Sequence, residues 1–216
     1  MAHQNQAIGL RIALTNKWNS KWSIDLKNKL IYKHLVHQDL LIQNFVQQFF
    51  AKLHVQILKP VIKRDNNVTH IFLTILHDDK LTESKSENFD SLQLLLENFT
   101  STKIKLYYIF TDNILYDADF LGTYIVNEIE NNKKPLSVFK NILKIKDDLN
   151  SLNSPVILGI KYEIAGRIKG VDRARTLKFL WGNVSLNTLH QKISFIRKTA
   201  FTKEGTLGIK VWITYQ

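Results

Sequence analysis

The stretch GIKYEIAGRIKGVDRARTLKF, residues 159–179, decides how the C-terminal half of the chain folds and what it binds. It begins inside the apolar run PVILGIKYEI, residues 155–164, which predicts a β-strand. From residue 166 onward it holds two glycines, one acid and five cations, namely Arg167, Lys169, Arg173, Arg175 and Lys178. Like charges at this density repel one another unless an anion lies across them. The sequence therefore predicts a basic turn that faces water, a membrane surface, an acidic protein or nucleic acid.

The net charge of the chain is +11 over 216 residues, and it is concentrated at the two ends. Residues 1–60 carry +6 and residues 151–216 carry +8, whereas residues 61–100 carry −3 and residues 101–150 are neutral. Two basic ends around a neutral-to-acidic middle indicate an electrostatic surface for a polyanion such as nucleic acid. The alternative is an ordinary solvated surface with excess lysine.

The sequence lacks the residues for disulfide, membrane-spanning and common catalytic chemistry. It has no cysteine, which excludes a disulfide framework and a thiolate metal site. No apolar run approaches the roughly 18 residues that span a bilayer, and the start does not resemble a secretory signal. Phosphate-binding glycine loops, a serine nucleophile elbow and the H-E-x-x-H metal motif are missing. His34, His37 and Asp39 lie close in sequence, but surface histidines are the better interpretation. We therefore expect no enzyme activity, no metal and no cofactor.

The apolar spacing predicts an α+β fold with two modules of about one hundred residues each. The first module has predicted helices at 38–53 and 88–99, strands at 53–59, 68–76 and 103–110, and a turn at 59–67. The second has predicted helices at 117–132 and 135–149 and strands at 155–164, 183–195 and 206–215. On the first helix, Leu41, Phe45, Phe49 and Leu53 recur every four residues and predict the buried stripe, widened by Val46 and Phe50.

Four stretches of the chain share the residue pattern of one protein family. The run from residue 159 to residue 213 follows that pattern without a gap, and its matching residues are Gly166, Arg167, Gly170, Ala174, Arg175, Thr176, Gly205, Gly208, Lys210, Val211 and Trp212. Near the N-terminus the matching residues are Gly9, Arg11, Trp18, Asn19, Ser20 and Trp22. The segments DADFLGTYIVNEIENN (117–132) and SLQLLLENF (91–99) fall on two of the family's helices. In these stretches the chain resembles small-subunit ribosomal protein three.

The resemblance implies a fold, a location and partners. It implies a basic N-terminal tail (1–23), a type II KH-like domain (24–111) and an α+β C-terminal ribosomal domain (112–216) on the head of the small ribosomal subunit. It implies a structural role with small-subunit rRNA, messenger RNA at the channel where messenger enters, and the neighbouring head proteins ten and fourteen as partners, and no membrane. The basic ends supply the candidate rRNA-binding residues, which are Arg11, Lys17, Trp18, Lys21, Arg167, Lys169, Arg173, Arg175, Lys178, Arg197, Lys198 and Lys203.

One departure from the family concerns the loop that grips RNA. A KH domain clamps the RNA backbone with a G-x-x-G loop whose bare amides approach the phosphates. Ungapped alignment puts Glu83, Ser84, Lys85 and Ser86 in that place, without either glycine. We therefore expect the domain to persist as a scaffold that has lost its grip on RNA, with a misaligned loop as the alternative.

A second departure concerns the basic helix beside the messenger channel. The family has two adjacent arginines where this chain has Leu136 and Ser137. The remaining channel candidates are Lys133, Lys134, Lys140 and Lys144. Lys133, Ser137, Lys140 and Lys144 share one helical face if the helix begins early enough, and Phe139 and Leu143 would then face the core. An ordinary solvated face is the alternative.

The composition and the altered loop favour an organellar ribosome. A bias toward Asn, Lys, Ile and Leu is typical of an AT-rich gene, and the start is not a convincing transit peptide. We therefore predict a mitochondrial form of the protein, located in the matrix as part of the small ribosomal subunit. The alternative function is a free-standing KH-type RNA-binding regulator or RNA chaperone.

Overall fold

The computed structural model describes residues 6–24, 29–65, 68–76, 85–100, 102–149 and 157–216, without the side chains of residues 85–88, 149 and 169. The helices are α1 (Lys29–Lys52), α2 (Lys85–Thr100), α3 (Ala118–Glu130) and α4 (Pro135–Leu149). The strands are β1 (Ser20–Lys21), β2 (Val61–Arg64), β3 (Val68–Leu76), β4 (Lys103–Thr111), β5 (Ile157–Gly166), β6 (Arg175–Gly182), β7 (Ile193–Thr202) and β8 (Gly205–Tyr215). Within the described ranges, no helix is long and apolar enough to cross a membrane.

The chain divides into two compact units, in agreement with an α+β fold class. The N-terminal unit comprises residues 18–112, and the C-terminal unit comprises residues 113–216 together with the chain up to Lys17. Each unit has its own hydrophobic core between one four-stranded sheet and a pair of helices.

The N-terminal unit packs two helices on one face of a sheet with the strand order β1-β2-β3-β4. Strands β2 and β3 are antiparallel, whereas β3 and β4 are parallel and are connected by α2. The predicted strand at 68–76 is confirmed, and its alternation buries Ile71, Leu73 and Ile75. The predicted strand at 103–110 and the helix at 88–99 are also confirmed, as β4 and α2.

The buried stripe of α1 differs from its predicted position by one residue. Ile42, Val46 and Phe50 are fully buried against the sheet, whereas Phe45 is 39% exposed and Leu53 is 36% exposed. Both rows repeat every four residues, and they lie about 100° apart on the helix. Because both rows are apolar, their spacing cannot decide which one packs on β3.

The segment between α1 and β3 also differs from its predicted structure. The predicted strand at 53–59 forms only an isolated bridge between Ile57 and Ile75, and β2 lies in the segment that was expected to be a turn. His54 has a φ of 56°, in the left-handed region, so the chain turns sharply just after α1 and cannot start a strand there.

A buried ion pair ties α1 to β2 in the N-terminal unit. The guanidinium of Arg64 contacts Asp39 Oδ1 through both Nη2 (2.6 Å) and Nε (2.9 Å). The indole of Trp22 donates to the other carboxylate oxygen at 2.8 Å. Both charged side chains are less than one-tenth exposed. Asp39 therefore has a structural role here, and it is not grouped with His34 and His37 as a metal ligand among the described residues.

The C-terminal unit packs α3 and α4 on one face of an antiparallel sheet with the strand order β6-β5-β8-β7. Ile160, Tyr162 and Ile164 of β5 point into this core, and the Tyr162 hydroxyl donates to the Pro135 carbonyl at 2.5 Å. The predicted helices at 117–132 and 135–149 and the strands at 155–164 and 206–215 are confirmed, with small shifts at their ends.

Two strands of this sheet lie elsewhere than predicted. β6 begins at Arg175, so the second half of the basic segment is a strand and not a turn. Six of its eight residues are exposed, and alternation is visible only at its end, where Phe179 and Trp181 pack partly buried against the core. Of the predicted strand at 183–195, only the last residues belong to a strand, β7.

Candidate nucleic-acid interface

Alternation along the C-terminal sheet places a set of charges on the face opposite the helices. Tyr162 and Ile164 face the core, so Glu163 between them faces outward. The strand register aligns Lys178 with Glu163, Glu163 with Lys210, and Lys210 with Arg197. One row across all four strands therefore carries three cations and one carboxylate.

This row lies in an open depression of about 360 Å³, which we call the cationic groove. Its lining residues are Glu163, Ala165, Thr176, Lys178, Arg197, Lys198, Thr199, Gly208 and Lys210. The residues between the charges are small or carry hydroxyl groups. A polyanion can therefore approach the backbone of the sheet closely, with cations on both sides of it.

Glu163 is a buried carboxylate that forms ion pairs with lysines of the groove region. The residue is only 5% exposed, and its carboxylate contacts Lys161 Nζ at 3.0 Å and Lys178 Nζ at 3.8 Å. The Lys161 ammonium also lies 4.7 Å from the centre of the Trp212 ring, where a cation–π contact holds it. The groove thus keeps a positive excess while one acid reduces the repulsion between its lysines.

The five-cation cluster predicted from the sequence is not one continuous patch. Arg167, Arg173, Arg175 and Lys178 are all exposed, as expected, while the side chain of Lys169 is outside the described part of the chain. Alternation along β6 places Arg175 and Lys178 on opposite faces of the sheet, and only Lys178 faces the groove. Arg167 Nε donates to the Val171 carbonyl at 3.2 Å within the turn.

The turn itself depends on its glycines. Gly166 has a φ of 145° and Gly170 has a φ of 70°, both of which strain residues with a side chain. A Cβ at Gly166 would also lie 2.9 Å from the Thr206 carbonyl oxygen. The backbone of the β5–β6 turn therefore packs tightly beside the β7–β8 hairpin.

Arg11 has a different role from the expected phosphate contact. Its side chain is completely buried and its guanidinium donates to four backbone carbonyls, those of Ala7 (3.1 Å), Leu186 (2.8 Å), Thr188 (2.8 Å) and Gln191 (3.0 Å). Burial lowers the pKa of this guanidinium from its ordinary value. Because every nitrogen of Arg11 is used inside the C-terminal unit, this prediction is wrong. Lys17, Trp18 and Lys21 are exposed, and Trp18 is 69% exposed.

Lys198 also makes internal contacts. Its ammonium lies 2.6 Å from Asp119 Oδ1 and also donates to the Asp119 carbonyl and the Thr123 hydroxyl on α3. It therefore joins β7 to α3, and its ammonium is engaged within the C-terminal unit although the residue is part of the groove lining. Arg197 and Lys203 are exposed.

The candidate channel lysines divide between α4 and the residues before it. Because α4 begins at Pro135, Lys133 precedes the helix. The helical face predicted to carry Lys133, Ser137, Lys140 and Lys144 therefore holds only the last three. Lys133 forms an ion pair with Glu128 at 2.6 Å, and this contact raises the pKa of the lysine. Ser137, Lys140 and Lys144 are exposed on α4.

Lys134, just before the helix, is exposed. The side of α4 opposite its lysines faces the core. Val138 and Ile142 are buried, and Phe139 packs partly buried against Tyr162 and Phe179. Leu143 is half-buried. The amphipathic pattern expected for this helix is therefore present, with its basic side toward solvent.

The loop that would correspond to the RNA grip is described only at its end. Glu83 and Ser84 lie outside the described residues, and Lys85 and Ser86 are the first two residues of α2. The expectation of a lost grip stays a prediction.

Sequence reasoning missed Lys161 and Glu163, and it matched Lys210 to the family pattern without assigning it to the site. Lys161 and Glu163 alternate with the apolar Tyr162 and Ile164, and this pattern indicates a charged outer face on β5. The pairing of β5 with β6 and β8, and of β8 with β7, is needed to bring Lys178 and Arg197 into the same row. A register between distant strands cannot be obtained from one sequence.

Two small α+β units in a chain of net charge +11, with a cationic groove on the C-terminal sheet, are typical of nucleic-acid-binding proteins. Residues 143–213 match the family model "Ribosomal protein S3, C-terminal domain". The small ribosomal subunit protein uS3 of Fusobacterium nucleatum is 32% identical over 95% of this chain and 90% of its own length. The protein named uS3c of Euglena longa is 31% identical over 99% of both, and uS3 of Leptospira biflexa is 29% identical over 98% of this chain and 89% of its own.

The chain belongs to the ribosomal protein uS3 family. It is a structural component of the small ribosomal subunit and not an enzyme. The resemblance drawn from the four sequence stretches is confirmed.

Proposed function

We propose that the cationic groove binds phosphates of small-subunit rRNA and holds the C-terminal unit on the ribosome. The observation that carries this proposal is the row of Lys178, Lys210 and Arg197 across the strands, around the buried Glu163. Each cation that neutralises a phosphate releases condensed counterions, which favours binding in a salt-dependent way. Contacts of this kind position a protein on folded RNA without selecting a base sequence. Arg167, Arg173 and Lys203 are further exposed cations of the C-terminal unit that can contact rRNA outside the groove.

The finer features of the family are part of the same proposal. The N-terminal unit serves as a KH-like scaffold over residues 24–111, and Glu83–Ser86 make no clamp on RNA. The chain sits on the head of the subunit beside proteins ten and fourteen. Lys140 and Lys144, with Lys133 and Lys134 nearby, lie beside the channel where messenger enters. Support comes from the exposed basic side of α4 and from the missing loop glycines.

We propose a mitochondrial ribosome as the location. Only six of the 30 Lys and Arg residues are arginines, and Asn, Ile and Leu are frequent, which is the composition that an AT-rich organellar gene produces. The similar proteins named above come from bacteria and, by its name uS3c, from an organelle of Euglena longa. Fractionation of cells that express a tagged chain, followed by mass spectrometry of the mitochondrial small subunit, tests this location. Recovery with plastid or cytosolic ribosomes instead would contradict it.

Sedimentation of the native protein tests the ribosomal role. The chain should co-migrate quantitatively with the small subunit through high salt, because many phosphate contacts form at once. A pool that migrates free or with messenger would instead indicate a free-standing RNA-binding regulator. The groove variant Lys178→Gln with Arg197→Gln should be released at lower salt than wild type.

A further inference from the structure

The sheet of the N-terminal unit has an open face that the cationic groove and α4 do not use, although one of its residues, Lys21, was a candidate rRNA contact in the sequence. Its helices cover only one side, where the core lies. On the opposite side, the register aligns Lys21 with Lys63, Lys63 with His70, and His70 with Lys105. One row across all four strands therefore consists of three lysines and a histidine, over about 14 Å at the usual strand spacing.

A row of this composition is unfavourable in the free protein. Lys21 and Lys63 lie directly opposite each other on adjacent strands, which is destabilising for like charges. The three lysines of the row are all exposed. Lys103 is an exposed cation further along the same face of β4. Among the described residues of this face, Asp65 supplies a carboxylate, and it lies 3.2 Å from His70 Nε2. It pairs with the histidine and does not offset the charges of the lysines. A polyanion across the strands would remove this repulsion.

The next row along the same face is aromatic and apolar. Phe72 and Tyr107 are aligned across β3 and β4, and their rings stack with centres 4.8 Å apart. Tyr107 is 40% exposed, and Ile109, one step further along the face, is 47% exposed. The Lys63 ammonium lies 4.5 Å from the centre of the Phe72 ring, and His70 Nδ1 is 3.2 Å from the Tyr107 hydroxyl. The basic and aromatic rows are therefore held in contact with each other.

We propose that this face, which we call the open face, binds an unpaired segment of RNA. The phosphates lie along Lys21, Lys63 and Lys105, and bases lie against the exposed surface of Tyr107 and Ile109. Cations that follow a backbone beside aromatic side chains for the bases are the arrangement by which proteins bind single-stranded nucleic acid. Paired RNA keeps its bases stacked inside the helix, so it could use only the basic row.

An acidic protein segment could also neutralise the lysines, but it gives no reason for the aromatic row beside them. The open face lies wholly in the N-terminal unit, whereas the cationic groove lies in the C-terminal unit. Loss of one site therefore leaves the other intact, and the two proposals fail or succeed separately.

The first test measures binding of the full chain to labelled oligouridine and to a duplex RNA over a range of salt concentrations. Lys63→Gln with Lys105→Gln should lower the salt slope for oligouridine by about 0.7 for each phosphate that is no longer neutralised. The matched control, Lys29→Gln with Lys33→Gln, removes two exposed cations from α1 in the same unit and should keep the wild-type slope. Equal slopes for the two double variants would overturn the proposal.

The aromatic row is tested by a second pair of variants. Tyr107 stacks on Phe72 and His70 within the protein, so a base packs against the rest of its exposed surface. Tyr107→Leu should weaken oligouridine binding about fivefold, the low end for base–aromatic contacts, and should leave duplex binding unchanged. Tyr107→Phe should bind like wild type. Tyr116→Leu, at a tyrosine of the C-terminal unit that is 41% exposed, is the matched control. Wild-type affinity of Tyr107→Leu for oligouridine would overturn the proposal.

A photo-crosslinking amino acid in place of Tyr107 identifies the occupant in assembled small subunits. A nuclease-sensitive adduct supports the proposal. An adduct with a protein, or no adduct, overturns it.

Discussion

Arg11 fixes the start of the chain to the C-terminal unit through its four carbonyl partners. Such a site needs the planar guanidinium, because its five N–H donors point in fixed, diverging directions. The same site shows a limit of sequence reasoning. An arginine in a basic N-terminal segment has the composition of an RNA contact, and only the folded chain shows that its charge faces inward.

Arg11→Lys should therefore act on stability and not directly on RNA affinity. A lysine cannot reach all four carbonyls, so the free energy of unfolding should fall by about 3 kcal/mol, the worth of one or two hydrogen bonds from a charged donor. Thermal and urea unfolding measure this loss, with the exposed Lys17→Gln as a control that stays near wild type. Unchanged stability of Arg11→Lys together with weaker rRNA binding would show that Arg11 contacts phosphate after all.

The Asp39–Arg64 pair is the corresponding anchor of the N-terminal unit. Asp39→Asn leaves the Arg64 charge buried without its partner, which typically costs about 3–5 kcal/mol. Urea unfolding should show this loss, and Asp112→Asn, at an exposed position of the same unit, should show little change. Near-wild-type stability of Asp39→Asn would mean that the pair is not needed to join α1 to β2.

At the scale of elements, sequence predicted what depends on local periodicity and missed what depends on pairing. β3 and β8 have clear apolar patterns, and α3 begins at a true N-cap, where the Asp117 carboxylate accepts from the Asp119 amide at 2.9 Å. β6 was missed because its first four residues, which include Arg175 and Lys178, are all exposed or polar, and only Phe179 and Trp181 at its far end pack partly buried against the core. The groove and the open face depend on register between strands, which no local pattern contains.

In the proposed function, α4 is the element with the most direct consequence for translation. Messenger must enter unpaired, and cations beside the channel favour the opened strand. With Leu136 and Ser137 in place of arginines, the field comes from Lys140, Lys144 and the residues just before the helix. An exposed cation acts over about 8 Å at physiological salt, so a lysine one turn away compensates only in part.

We therefore predict that Lys140→Ala slows translation of messengers that contain a stable hairpin. Arginine at positions 136 and 137 should speed it, and both positions are exposed on α4 and can accept the larger side chain. The measurement is the translation rate on two matched messengers, one with the hairpin and one without it. The messenger without the hairpin is the control. If Lys140→Ala and wild type behave alike on both, α4 has no unwinding role.

At the scale of the whole molecule, the two units share one arrangement of charge, each on its own sheet. Each sheet buries one face under two helices and leaves cations on the other face, aligned across the strands by register. Part of the net charge of +11 is therefore organised into rows. Lysines, which bind phosphates as compact point charges, outnumber arginines. Under the two proposals, a ribosomal component with two such surfaces can lose the KH grip on RNA and still be held in place.

The salt dependence of rRNA binding tests the cationic groove most directly. The full chain is titrated with small-subunit rRNA for wild type, for Lys178→Gln with Arg197→Gln, and for Lys140→Gln with Lys144→Gln on α4 of the same unit. The groove pair should lower the salt slope by about 0.7–0.9 for each phosphate that is no longer neutralised, whereas the α4 pair should keep the wild-type slope. A groove pair that keeps the wild-type slope and affinity would contradict the claim that this sheet surface holds the protein on rRNA.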